Sequence, residues 1–376
     1  MDLKGLKDAG LYDPSAEGAD ERLELLEFLL SEGCTVEEMQ LAHSRGRLFA
    51  LAGDRRIRPL VGLLTMREAG ARLETDPVKL AHVWQTFGLT VTDTETPVLT
   101  EPDLDALQTY LDVEAYLGED TAHAFARVVG GALARITEAV STAMRTGVES
   151  ISVFRSGSEV ATAKTYSEIT KLVPRVGAAL DNLHRQHLEA TRQHFEVIDS
   201  EGTDGVSFRC GIGFADLSGF TSMSQQLPIA QLSQVLNVFE EGATHTVQEH
   251  GGRIVKFLGD AVMWVSARPA DLVAIAHALV THPGAAEVGI QVRAGIAFGS
   301  VLAQDGDYFG PSVNLASRLV SSAEPGQVLA AREVVAELDA ACFEEQPPLP
   351  LRGYVEPVTP FALVTPPDHE HAHHHH

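Results

Sequence analysis

The chain has 376 residues and 44% hydrophobic content, which excludes a disordered polymer and makes two domains the natural division. Lys and Arg number 28 against 52 Asp and Glu, a formal net charge of −24, so the chain repels bulk nucleic acid and anionic membrane and must meet any anionic substrate with a few placed cations or metal ions. No stretch approaches the roughly 20 apolar residues of a membrane span, "MDLKGLKDAGLYDPSAEGADER" lacks the apolar core of a signal peptide, and Cys34, Cys210 and Cys342 form no CxxC pair, which fits a reducing cytosol.

Residues 1–198 read almost wholly as helices. Asp20 is placed to cap "ERLELLEFLLSE", whose Leu23, Leu26, Leu29 and Leu30 share a face before Gly33. Thr35 with Glu38, and Thr65 with Glu68, have capping-box spacing. Residues 65–88 read as a helix, a short turn and a second helix opening on Pro77 and closing at Gly88. That outline resembles a DNA-binding helix pair. With few Lys or Arg on the second helix and no basic patch, two packed helices of an α-domain are the better reading. "PDLDALQTYLDVEAYLG" and "DTAHAFARVVGGALARITEAVSTAMRTG" continue the helical pattern. A segment over about 164–196 carries Pro174, where it kinks or restarts.

"DSEGTDGV", 199–206, is a polar linker, and after it the pattern changes. "SFRCGIGFADL" is a strand. "PIAQLSQVLNVFEEGATHTVQEHGG" is an amphipathic helix with Leu232, Val235, Leu236, Phe239 and Ala243 on one face. "RIVKFLGDAVMWVSA" is a hairpin around Gly259-Asp260. "LVAIAHALVTH" is a helix, "QVRAGIAFGSVLA" a strand, "SVNLASRLVSSA" a helix and "GQVLAAREVVAELD" a strand running into a helix. "LRGYVEPVTPFALV" closes with strands. This βαββαβαβ-like order predicts an α+β sandwich with helices on an antiparallel-rich sheet. The terminal "HEHAHHHH", within 367–376, reads as a histidine tag and is left out of metal reasoning.

Alternation puts Lys256 of "RIVKFLGD" on the same face as Ile254 and Leu258, where an ammonium is costly without an acceptor. Asp216 in "FADLSGFT" and Asp260 in "FLGDAVM" each end a strand; either alone suits a turn or helix cap better than a metal, but both lie beside glycines that let backbone approach a phosphate. Leu217 to Thr221 open a helix whose free N–H groups form an anion site. Two carboxylates near such a site point to a two-metal phosphoryl-transfer centre. Arg293 is a cation inside an apolar strand, suited either to structure or to a triphosphate oxygen. "DYFGPSVNLASR" begins with Asp307 in a turn and sets Asn314 and Arg318 one turn apart on a helix, a pattern that by itself reads as a solvated helix face.

The order and spacing of these motifs over about 207–366 resemble the catalytic domain of class III nucleotidyl cyclases, specifically bacterial adenylate cyclases. The resemblance implies a ferredoxin-like βαββαβ core at 199–366 and two Mg²⁺ or Mn²⁺ ions on Asp216 and Asp260. It implies that Lys256 and Asp307 read adenine, Asn314 holds the ribose, Arg318 stabilises charge at the reacting phosphate and Arg293 binds triphosphate. The loop Leu217, Ser218, Gly219, Phe220 and Thr221 would face the phosphates, and Arg352 in "LRGYVEPV" sits where a further phosphate cation is often found. The short "GSVLAQDGDYFG" connection resembles that of cyclases with an abbreviated dimerisation arm. The helical layout of 1–198 resembles the autoinhibitory regulatory domain of mycobacterial-type cyclases.

The activity so implied is conversion of ATP to 3′,5′-cyclic AMP and pyrophosphate in the cytoplasm, by a homodimer with two shared sites. In the family, the Asp216–Asp260 set of one chain serves the Lys256, Asp307, Asn314 and Arg318 set of the other. His184, His187 and His194 lie along one segment entering the linker, where protonation between about pH 5 and 8 would change its packing. The competing readings are a nucleotide-sensing module without turnover and a DNA-binding regulator acting through the 65–88 helix pair.

Overall fold

A computed structural model of the chain describes residues 3–146, 158–197, 207–282 and 290–365. The expected linker at 199–206 and the histidine-rich tail lie outside the described residues. The chain divides into two compact units, Met1–Gln186 and His187–His376. The described part of the first unit is helical and that of the second is built on a sheet.

The first unit holds two apolar clusters. One gathers α1 (Leu3–Asp8), α2 (Ala19–Ser31), α3 (Val36–Ser44), α4 (Leu51–Ile57) and α9 (Glu159–Thr170) around Leu25, Leu26, Leu29, Met39 and Leu51. The other gathers α5 (Met66–Arg72), α6 (Pro77–Thr86), α7 (Glu101–Leu117) and the start of α8 (Glu119–Thr146) around Leu80, Trp84, Leu99 and Leu107. Both capping boxes form. The Thr35 and Thr65 hydroxyls accept from the Glu38 and Glu68 amides, and each glutamate accepts from its threonine's amide. Asp20 does not cap α2: the helix starts two residues earlier than that cap would set it, at Ala19 after Gly18 at φ 78°, and Asp20 falls in the first turn, where its charge suits the helix N-terminus. Leu25 is buried on α2 while Leu23 and Leu30 are only half-buried, so the buried stripe is rotated from the expected one. The 65–88 pair buries Leu80, Val83 and Trp84 in the second cluster, as two packed helices should. At Pro174 the helix restarts: α9 ends at Thr170, and α10 (Val173–Val197) runs on across the division between the two units.

The second unit carries an eight-stranded mixed sheet: β1 (Ser207–Leu217), β2 (Arg253–Leu258), β3 (Ala261–Ser266), β4 (Val292–Gln304), β5 (Asp307–Phe309), β6 (Val328–Ala330), β7 (Phe343–Glu345) and β8 (Phe361–Leu363). The strand order is β2-β3-β1-β4-β6-β8-β7, with β5 paired to β4. All pairs are antiparallel except β4 with β6. Alternation along β1 sends Ala215 and Leu217 to one face, against α12 (Ile229–Glu249) and α13 (Pro269–Val280). It sends Phe208, Cys210, Ile212 and Phe214 to the other, against α14 (Pro311–Ser322). Burial pushes the Cys210 thiol up to about 12, so it is an inert apolar filler.

Gly295 allows α14 to lie directly on β4. A Cβ there would stand 2.2 Å from the Val320 amide nitrogen and 2.5 Å from the Ala316 carbonyl oxygen. β6 leads into the short α15 (Arg332–Ala336). β7 is a three-residue strand that the sequence pattern did not reveal. The closing segment is strand only at β8; "LRGYVEP" is a turn-rich loop held by a Leu349–Val358 bridge, with Leu351 buried beneath it.

Candidate active site

Asp216 lies near the end of β1, between Ala261 of β3 and Arg293 of β4. In register with β1, Arg293 donates through Nε to Asp216 Oδ1 at 2.6 Å and through Nη2 to Oδ2 at 3.1 Å. Its Nη1 donates to the Ser321 and Ala323 carbonyls, both at 3.2 Å, at the end of α14. A guanidinium has five N–H donors, and four of Arg293's are thereby engaged inside the chain. Asp260 sits in the β2–β3 turn beside Gly259 at φ 68°. Burial raises its carboxyl above the ordinary range. Its own amide opposes that shift, the Asp216 charge adds to it and Arg293 opposes it.

The loop after Asp216 differs in detail from the expected anion site. The Leu217 amide donates to the Asp260 carbonyl at 3.1 Å and the Ser218 amide to the Gln291 carbonyl at 2.8 Å. Those two amides are therefore engaged within the chain. Gly219, at φ 78°, opens α11 (Phe220–Ser224), a helix of only five residues. The Ser218 hydroxyl is buried without a partner. Phe220 packs on the α12–α13 side of the sheet, and the side chain of Thr221 lies outside the described residues.

Lys256 has an acceptor within its own chain: its ammonium donates to Asp307 Oδ2, and the Tyr308 amide donates to Asp307 Oδ1 at 2.8 Å. Lys256 and Asp307 side chains keep 37% and 27% exposure, so the pair is open to a ligand. Lys256 does not share a face with Ile254. A β-bulge pairs Ile254 with Trp264 and Lys256 with Met263, neighbours that point to opposite sides of β3. Trp264 and Ile254 belong to the α12–α13 side, and Met263 to the α14 side. The bulge thus moves Lys256 onto the face that also carries Asp216 and Arg293.

Asn314 and Arg318 stand one turn apart on α14, exposed and half-buried. Among the described residues neither side chain makes a hydrogen bond or ion pair. Arg352 is exposed in the turn-rich loop, where Tyr354 feels the charge of Arg318. The fold therefore gathers a carboxylate pair, an ammonium–carboxylate pair and a helix-borne arginine on one domain. No hydrogen bond or ion pair among the described residues joins the Asp216–Asp260–Arg293 set to Lys256, Asp307, Asn314 or Arg318.

The described residues contain no cluster of three or more His, Cys, Asp or Glu side chains able to hold a metal ion. Asp216 and Asp260 offer hard oxygen donors near enough for the Asp216 charge to add to the rise in the Asp260 carboxyl. Mg²⁺ or Mn²⁺ is commonly held by one or two carboxylates plus phosphate oxygens and water, so this donor set fits such an ion. No described helix is long and apolar enough to cross a membrane. His184 and His187 are exposed on α10; His194 is on the same helix, with its side chain outside the described residues. Sequence reasoning missed Arg253 and Tyr308, which contact each other beside Lys256 and Asp307. Arg253 was visible as a second cation in the same apolar strand, but alternation without the bulge puts it on the opposite face.

Residues 205–363 match the family of the adenylate and guanylate cyclase catalytic domain, and residues 3–191 match the adenylate cyclase regulatory domain. An uncharacterized protein of Mycobacterium tuberculosis is 45% identical over 363 residues, covering 96% of this chain and 94% of that protein. An adenylate cyclase of Streptomyces coelicolor is 31% identical over 300 residues, covering 78% and 76%. A pH-sensitive adenylate cyclase of M. tuberculosis is 28% identical over 339 residues, covering 86% and 81%. With a catalytic-domain match over the sheet unit and a regulatory-domain match over the helical one, the chain belongs to the class III adenylate and guanylate cyclases that carry an N-terminal regulatory domain.

Proposed function

We propose that the chain converts ATP to 3′,5′-cyclic AMP and pyrophosphate at two sites shared by a homodimer. The observation that carries this reading is the Lys256–Asp307 pair, a donor beside an acceptor on an open sheet face. Adenine offers an acceptor at N1 and a donor at N6, whereas guanine offers a carbonyl and an N–H in the reverse order. Lys256 donates to N1 and Asp307 accepts from N6, directly or through neighbouring hydrogen bonds. The name carried by the S. coelicolor relative supports ATP over GTP.

Asp216 and Asp260 would hold two Mg²⁺ or Mn²⁺ ions, which when bound neutralise phosphate charge and make the ribose 3′-OH a better nucleophile. For Asp216 to do so its bridge to Arg293 opens, and Arg293 turns its donors to the triphosphate. The Gly219–Thr221 backbone lies beside the phosphates, and Arg352 adds a cation at their edge. Asn314 orients the ribose for in-line attack on the α-phosphorus. Arg318, which makes no bond within the described chain, meets charge that develops in the transition state. No histidine lies in these motifs, so no side-chain general base is assigned.

Among the described residues no hydrogen bond or ion pair joins the two sets, which supports their meeting across an isologous interface, with one chain's acidic pair serving the other's base-reading pair. Asp216→Ala and Arg318→Ala homodimers should each be nearly inactive. Co-expressed, they should regain activity, because one of the two sites in a heterodimer carries neither change. Co-expressed, purified heterodimer that stays inactive would rule the shared arrangement out.

In this reading residues 1–198 act as a brake on residues 199–366. The match to a regulatory domain and the printed name of the pH-sensitive relative support that assignment. The candidate sensor is α10, where the exposed His184 and His187 stand among the Asp181–Arg185 and Glu189–Arg192 ion pairs. A histidine that gains a proton adds positive charge to such a surface. Full-length protein should be more active at mildly acidic pH, and residues 199–366 alone and a His184/His187/His194→Ala variant should respond less. Three superimposable pH profiles would remove the histidines from regulation.

A further inference from the structure

Arg253 and Lys256 are three residues apart on β2, and in a regular strand such residues face opposite sides of the sheet. The bulge cancels that. Arg253 pairs with Val265 and Lys256 with Met263, residues two apart on β3 that share the α14 face. Val255 is the inserted residue. Both cations consequently meet consecutive residues of β5: Arg253 donates through Nη2 to the Tyr308 hydroxyl, and Lys256 donates to Asp307.

The Arg253 contact is built as a fixed support. Its guanidinium carbon lies 5.5 Å from the centroid of the Tyr308 ring, a cation–π contact. Phe208 braces the same ring edge-on, at 5.7 Å and 88°. Tyr308 is 3% exposed. Arg253 Nε is buried without a partner, so the guanidinium is held there at a cost in hydrogen bonding. Tyr308 in turn donates its amide to Asp307 Oδ1 at 2.8 Å, leaving Oδ2 to Lys256. A continuous chain of contacts runs Arg253, Tyr308, Asp307, Lys256.

We propose that Arg253 and Tyr308 are positioning residues for purine selection, and that the bulge at Val255 makes this possible by aligning two rungs between β2 and β5. The inference rests on the reading that Lys256 and Asp307 recognise the base. The outer rung fixes the backbone of β5. Asp307 then turns a defined oxygen toward the 6-amino edge of a purine nucleoside triphosphate, with Lys256 held at its side.

The test is steady-state kinetics of the full-length protein with ATP and with GTP, alongside thermal unfolding of each variant. Tyr308→Phe keeps the ring against Phe208 and removes only the hydroxyl. It should raise KM for ATP about three- to tenfold, the effect of one lost hydrogen bond. The kcat for ATP and the KM for GTP should stay within about twofold, so the preference for ATP falls. Arg253→Met should do the same more strongly, and Arg253→Lys, which keeps a cation over the ring, should recover part of the loss. Asp307→Ala is the control on the underlying reading. If it erodes ATP preference while Tyr308→Phe and a folded Arg253→Met keep wild-type KM values, the rung has no role in selection. Equal losses of kcat with both nucleotides, tracking lowered unfolding temperatures, would mark the rung as structural and overturn the proposal. Asp307→Ala with unchanged preference would sink the base-recognition reading and the rung with it.

Discussion

In the helical unit, Arg56 reaches from α4 to Glu32 at the C-terminal end of α2 and to the Ser167 hydroxyl and carbonyl on α9, at 2.6 and 3.0 Å for the latter two. Arg55 pairs with Glu38 of α3 at 2.9 Å, and Tyr166 donates to Asp54 at 2.9 Å. Each of these groups bonds across elements, and its removal takes away one partner of a partly buried or buried side chain. In the sheet unit Arg293 is bound to Asp216 in the same manner, but several polar side chains of the candidate site are not. Asn314 and Arg318 make no side-chain bond among the described residues, and Lys256 and Asp307 stay partly exposed on an open face. The contrast separates charges consumed by their neighbours from the open residues given a role in the proposed reaction, with Arg293 between the two: it is engaged by Asp216 and is proposed to work only once that bridge opens.

Substitutions can break that comparison. Arg318→Ala should lower cyclic AMP formation on the order of 100- to 1000-fold, the usual loss for one transition-state donor. Its unfolding midpoint should stay where it was, because the side chain joins no bond in the described chain. A large fall in stability would place Arg318 among the structural charges. Glu32→Ala should show the reverse, losing about 2 kcal/mol of stability in denaturant unfolding as Arg56 and Ser167 lose their shared acceptor. An unchanged midpoint would mean that α2, α4 and α9 are held by packing alone. Thr35→Ala removes one capping hydroxyl and should cost about 1 kcal/mol. A neutral result would show that Glu38, already paired with Arg55, fixes the start of α3 unaided.

These differences also explain what the sequence made legible. Asp216, Asp260, Lys256 and Arg293 stood out because charges inside apolar strands or at glycine turns are rarely tolerated without a use. Both capping boxes were readable because their spacing is local. The bulge was not, since nothing in "RIVKFL" distinguishes an inserted Val255 from a paired one, and the alternation rule then misplaced Lys256 and hid Arg253. The Arg293–Asp216 bridge was missed for a related reason. It depends on β1 and β4 being neighbours in register, a long-range fact that strand patterns do not carry. Asp20 failed as a cap because Gly18, in a left-handed conformation, starts α2 earlier than a side-chain rule anticipates.

The most direct test of the central claim is to supply purified full-length protein with ATP or GTP, with Mg²⁺ or Mn²⁺ and with chelator, and to measure cyclic nucleotide and pyrophosphate. Cyclic AMP and pyrophosphate are expected in equal amounts, dependent on the divalent ion, with GTP a much poorer substrate. Cyclic GMP as the main product would contradict the role given to Lys256 and Asp307. If neither nucleotide is turned over by the full-length protein or by residues 199–366 across the range from pH 5 to 8, the chain is not the cyclase described above.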